Sequence, residues 1–130
     1  MNKLLIFIFI SVIAFSCKHR YSYTEVRRDG NKEEIIKAKN DTIAYNKAYQ
    51  KFCISLASES VARESVPGYS NILGFKLFKS DGKIVSKPLT KAQLEKEKEI
   101  EEFIFGMLKA DTIAKIKLYK FKILELQLTQ

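Results

Sequence analysis

Two cysteines, Cys17 and Cys53, one histidine, His19, and 15 carboxylates are the groups with which this chain of 130 residues could attempt nucleophilic or acid–base chemistry. A thiol nucleophile needs a cation or an imidazole beside it to persist as thiolate. Cys53 has only Lys51 close in sequence and lies among Tyr49, Phe52, Leu56 and Ala57, the surroundings of a small core residue. The lone His stands two residues after Cys17, so neither a Ser-His-Asp arrangement nor a histidine zinc site is expected. No G-x-G-x-x-G, Walker-type loop, H-E-x-x-H, C-x-x-C or G-x-S-x-G occurs. The acids concentrate between Glu95 and Glu102, and Glu59 and Glu64 have no sequence partner, so paired-carboxylate hydrolysis has no candidate either. The chain reads as a non-enzyme without cofactor or metal site, although a lysine nucleophile or a lone carboxylate base leaves no signature in one sequence.

The elements that must position these residues belong to one small domain. Apolar residues make up 46% and charged residues 29%, which excludes a disordered or collagen-like chain. Asn40-Asp41 can cap a helix, and Ile43 or Ala44, then Ala48, Phe52, Leu56 and Ser60 recur every four residues with Tyr45, Tyr49 and Cys53 beside them; this predicts a helix over 42–63, ended by Pro67-Gly68. Tyr45 and Tyr49, one turn apart, fit either an aromatic platform or half-buried packing. Ile72–Phe78 and Lys83–Val85 flank Ser80-Asp81-Gly82 as a hairpin, with a bulge or close packing at Gly74. Thr90 and Gln93 form a capping box for a second helix over 91–109, with Ile100, Phe103, Ile104, Met107 and Leu108 inward and Glu95, Lys96, Glu97, Lys98, Glu99 and Glu101 as a solvated face. From Ala114 to Leu128 apolar and polar residues alternate, which predicts strand, with phase slips near Leu118-Tyr119 and Ile123-Leu124. Fifteen extended residues would span about 50 Å, so the run must bend or break in two. The order helix, hairpin, helix, strand gives an α+β fold, two helices packed on a small antiparallel sheet.

Ahead of these elements, Lys3 is followed by an uncharged run from Leu4 to Phe15 that stops at Cys17-Lys18-His19-Arg20. The run is shorter than the roughly 20 residues a bilayer span needs, and reads as a secretory signal. An ordinary secretory signal with Cys17 as an incidental thiol is one reading of it. Ala14-Phe15-Ser16-Cys17 resembles the lipobox of bacterial lipoproteins. The resemblance covers 17 residues and implies cleavage before Cys17, acyl chains such as palmitate on its thiol and amino group, and stable anchoring once two or more chains are attached. It assigns Cys17 as the lipid-attachment residue and places the protein in the cell envelope, tied to a membrane and facing the periplasm or the surface. Residues 1–16 are then signal peptide, 17–40, rich in charge, a lipid-anchored tether, and 41–130 the domain; Tyr21, Tyr23 and Val26 leave a short strand open within the tether.

The balance of 23 basic against 15 acidic residues, net +8, bears on partners. Lys115, Lys117, Lys120 and Lys122 on the expected C-terminal strand could align with Lys76 and Lys79 of the hairpin as one basic face. Lysines on a strand protect a sheet from edge pairing; as a functional face they would meet an anionic envelope component, such as lipid head groups or lipopolysaccharide, or an acidic protein. Nucleic acid is not an expected partner of an envelope protein. Function is thus expected to be that of a membrane-anchored, non-catalytic binding or interaction module; the alternative is an inhibitor or immunity-type lipoprotein that neutralises a secreted enzyme or toxin.

Overall fold

The computed structural model describes residues 18–62, 71–110 and 112–128. Cys17 and residues 1–16, expected to be a signal peptide, lie outside the described residues. The fold is α+β: strand β1 (His19–Arg27), strand β2 (Lys32–Ala38), helix α1 (Asp41–Val61), strand β3 (Ile72–Lys79), helix α2 (Lys91–Met107) and helix α3 (Thr112–Leu128). The sheet is antiparallel, in the order β2-β1-β3.

The central strand of that sheet comes from the segment expected to be a tether. Tyr21 and Tyr23 alternate inward, Gly30 (φ +130°) makes the turn after Arg28-Asp29, and β2 returns with Ile36 and Ala38 on the same inner face. Acids on that face disguised the hairpin, and each has its charge met locally. Buried Glu25 accepts 2.7 Å hydrogen bonds from the Tyr23 hydroxyl and from Arg27 Nε. Half-buried Glu34 pairs with Lys51 at 2.7 Å and Lys32 at 3.2 Å.

Helix α1 lies across the inner face as expected, with Asn40 Oδ1 accepting from the Ile43 amide at 2.9 Å. Ala44, Ala48, Phe52, Leu56 and Ser60 are buried, and so are Tyr45, Tyr49 and Cys53. The pair order Tyr45–Glu125, Phe52–Phe121 and Glu59–Lys117 makes α3 antiparallel to α1. Phe52 touches both layers, its ring 5.2 Å from Phe75 of β3 and 5.5 Å from Phe121 of α3.

Three further expectations are corrected. The 83–85 arm of the second hairpin is a single bridge, Phe78 to Ile84, with the Lys79 amide donating to the Lys83 carbonyl and the Val85 amide to the Leu77 carbonyl on the free edge of β3. The bulge at Gly74 is present, where the β1–β3 register shifts opposite Val26 and Arg27 and Gly74 takes φ +155°. The 114–128 run is helix, not strand: Ala114 and Leu118 are buried and Phe121 half-buried on one helical face. Its two phase slips are a 3.6-residue period read at period two. On α2 the Thr90 cap accepts from the Gln93 amide at 3.1 Å, but the inward set differs. Ile104 and Phe105 are buried, Phe103 and Met107 point to solvent, and Glu97, placed by sequence on the solvated face, is buried.

Candidate functional site

Tyr45, Tyr49 and Cys53 follow one another at four-residue spacing along α1, and α2 and α3 bring Glu97, Glu101, Lys122 and Glu125 against that line. The Tyr49 hydroxyl donates to Glu101, which also pairs with Lys122. The Tyr45 hydroxyl donates to Glu125 at 3.4 Å, and Lys87 Nζ stands 3.0 Å from Glu97 Oε2 and 3.9 Å from Glu125 Oε2. The approach of Lys87 to Glu97 is an ion pair without hydrogen-bond geometry, since neither Glu97 oxygen has a hydrogen-bond partner among the described residues. Burial therefore outweighs the Lys87 charge and pushes the Glu97 carboxyl upward. The Tyr45 phenol is raised by burial and then by Glu125, the Tyr49 phenol by burial and then by Cys53. Burial, followed by the Glu101 charge, pushes the Cys53 thiol up to about 12. Cys53 is thus a neutral core thiol at physiological pH, and the tyrosine pair, rings 6.5 Å apart and stacked, is buried rather than a platform.

A second polar cluster lines an open cleft of about 500 Å³ at the end of the molecule marked by Arg27, Asp29 and Asn71. Its charges are used locally. Arg27 pairs with Glu25 at 2.5 Å; Glu59 Oε1 accepts from the Asn71 amide at 3.2 Å and lies 3.6 Å from Lys117 Nζ.

The lysines read from sequence as one face do not come together. Lys76 is exposed on β3, opposite Thr24, and Lys79 on the same strand pairs with Asp41 at 3.0 Å. The other four are distributed around α3: Lys115 and Lys120 are exposed, whereas Lys117 and Lys122 turn inward to Glu59 and Glu101. The helix instead presents an apolar outer stripe that the strand reading concealed. Ile116 (47% exposed), Tyr119 (62%), Ile123 (55%) and Leu126 (55%) follow at spacings of three, four and three residues, a straight line along a helix. The inward set Ala114, Leu118 and Phe121, offset from the stripe, was the available signal in the sequence.

Among the described residues no group of three or more His, Cys, Asp or Glu could hold a metal ion, and no helix is long and apolar enough to cross a membrane. Compared with protein-family models, with curated proteins and with solved structures, the chain matches none.

Proposed function

We propose that the chain is a small lipoprotein of the cell envelope, held to a bilayer at Cys17, that works without catalysis as an interaction module and takes a protein partner on the outer face of α3. The observation that carries the reading is the stripe Ile116, Tyr119, Ile123 and Leu126, four large side chains left uncovered on a helix whose opposite face packs on the core through Ala114, Leu118 and Phe121. Lys115 and Lys120 flank the stripe, so two copies packed stripe to stripe would set lysine against lysine. The complementary partner carries an apolar ridge bordered by carboxylates. The non-catalytic reading is supported by buried acids that each have a lysine, arginine or tyrosine beside them and by a core thiol held neutral.

The test is a photo-crosslinking residue placed at Tyr119 or Ile123 of the membrane-bound chain, with Leu94 on α2, 58% exposed, as control. A discrete protein adduct from 119 and 123, absent from 94 and lost when Lys115 and Lys120 are both changed to Glu, supports the reading. The same adducts from all three positions, or none, contradicts it. If the captured partner is a secreted enzyme that loses activity in the complex, the module is an inhibitor.

A further inference from the structure

The molecule's charge is unevenly distributed along the sheet axis. At the end where β1 begins, His19 lies opposite Ala38 and Tyr21 opposite Lys79, and the Lys79 amide donates to the Lys83 carbonyl. On β1, β2, β3 and the turns that flank them, that end carries Lys18, Arg20, Lys37, Lys39, Lys79 and Lys83, and the acids of the same segments there are Asp41 and Asp81. At the opposite end the charges balance: Arg27, Arg28, Lys32 and Lys117 stand with Glu25, Asp29, Glu33 and Glu59.

Two features single out the basic end as a contact surface. Arg20 and Lys37 are directly opposed across β1 and β2 on the outer side of the sheet, both exposed, and neither has an acid in ion-pair reach among the described residues. Like charges set opposite one another weaken a sheet unless something neutralises them. Secondly, Lys79 does reach Asp41, at 3.0 Å, so the exposed like-charge pair Arg20 and Lys37 lies on the β1–β2 hairpin that follows Cys17 in sequence. Cys17 precedes the first residue of β1 by two positions, a reach of about 7 Å.

We infer that the basic end of the sheet rests on the anionic phospholipid head groups of the bilayer that holds Cys17. The inference rests on the lipoprotein reading and adds an orientation to it. With so short a link the anchored domain cannot stand far from the membrane, and Arg20 and Lys37 enter the layer, about 8 Å deep at physiological salt, in which head-group charge is felt. The outer stripe of α3 runs from this end toward the other, because α3 is antiparallel to α1, so a domain seated in this way presents the stripe sideways to a partner, clear of the lipid.

The experiment uses the full processed chain in vesicles of phosphatidylcholine alone or mixed with phosphatidylglycerol. A fluorophore is attached at Ser80→Cys, beside the basic end, or at Ser58→Cys, beside the cleft at the other end; both positions are exposed, and Cys53 is buried and neutral. Spin-labelled head groups report proximity. In phosphatidylglycerol vesicles the Ser80 label should be quenched several-fold more than the Ser58 label. The difference should shrink in phosphatidylcholine, in about 1 M salt, where screening falls to about 3 Å, and in the chain carrying Arg20→Glu and Lys37→Glu. Equal quenching at the two positions in phosphatidylglycerol vesicles, or a preference that survives both charge reversals, would overturn the orientation while leaving the anchor standing, and would leave the basic end to an acidic protein. Chain that stays in the supernatant in every lipid mixture would overturn the anchor and the orientation together.

Discussion

Phe52→Ala probes the joint on which the architecture depends. The ring is 3% exposed and packs on Phe75 of the sheet at 5.2 Å, on Tyr49 at 6.4 Å and, edge to face, on Phe121 of α3 at 5.5 Å. Deleting a buried Phe costs about 3–5 kcal/mol in lost transfer and residual cavity. Three ring partners place this site at the upper end, about 5 kcal/mol. Domains of this size are stable by about 5–15 kcal/mol, so a third or more of the total is removed. At a denaturant slope of about 2 kcal/mol per M the urea midpoint should fall by about 2.5 M. Phe121→Ala, at a half-buried position, should cost about 2 kcal/mol, and the double variant should show a coupling of about 1 kcal/mol. Phe103→Ala, 63% exposed on α2, should stay within about 0.5 kcal/mol of the parent. Coupling below about 0.3 kcal/mol would refute the reasoning, because the Phe52–Phe121 contact exists only if 112–128 docks as a helix against α1.

Three more outcomes follow from the packing and the buried charges. Glu97→Gln should stabilise the fold at neutral pH: the carboxyl binds its proton more tightly folded than unfolded, so the parent loses stability as pH rises from about the ordinary 4.5 through the raised folded value, and the variant does not. Urea midpoints of the two chains across that range check the sign, and a destabilised variant would mean that the Lys87 attraction exceeds the burial cost. Tyr23→Phe removes the hydroxyl that donates to buried Glu25 at 2.7 Å and should cost about 1–3 kcal/mol by calorimetry, since one carboxylate oxygen loses its donor. Ile104→Ala, at 1% exposure, should cost about 3 kcal/mol, whereas Lys98→Ala on the exposed face of α2 should change stability by less than about 0.5 kcal/mol.

What could be read from the sequence depended on whether a segment's inward side chains were apolar. In α1 they are, and the helix, its Asn40 cap and its buried line from Ala44 to Ser60 all agree with the spacing. In β1 the inward positions after Tyr21 and Tyr23 are Glu25 and Arg27, which neutralise each other, so a central strand had the composition of a solvated linker. Glu97 misled for the same reason: an acid between Lys96 and Lys98 looks solvated, and its burial is accompanied by the approach of Lys87 from the loop that leads into α2. In α3 both faces are apolar, one against α1 and one toward solvent, so no single helical stripe stood out and the alternating lysines imposed a false period of two. The lysines lost their common face for the same reason. A helix turns Lys117 and Lys122 toward Glu59 and Glu101 and leaves Lys115 and Lys120 outside.

The proposed attachment at Cys17 carries both the envelope reading and the orientation inferred from it, and the mass of the mature N-terminal peptide tests it most directly. The account predicts that the mature chain begins at Cys17 and that this residue carries acyl chains, so that Cys17→Ser leaves the protein uncleaved or unattached to membranes. A free thiol on Cys17 in the mature protein, or a mature N-terminus lying downstream within β1, would contradict it.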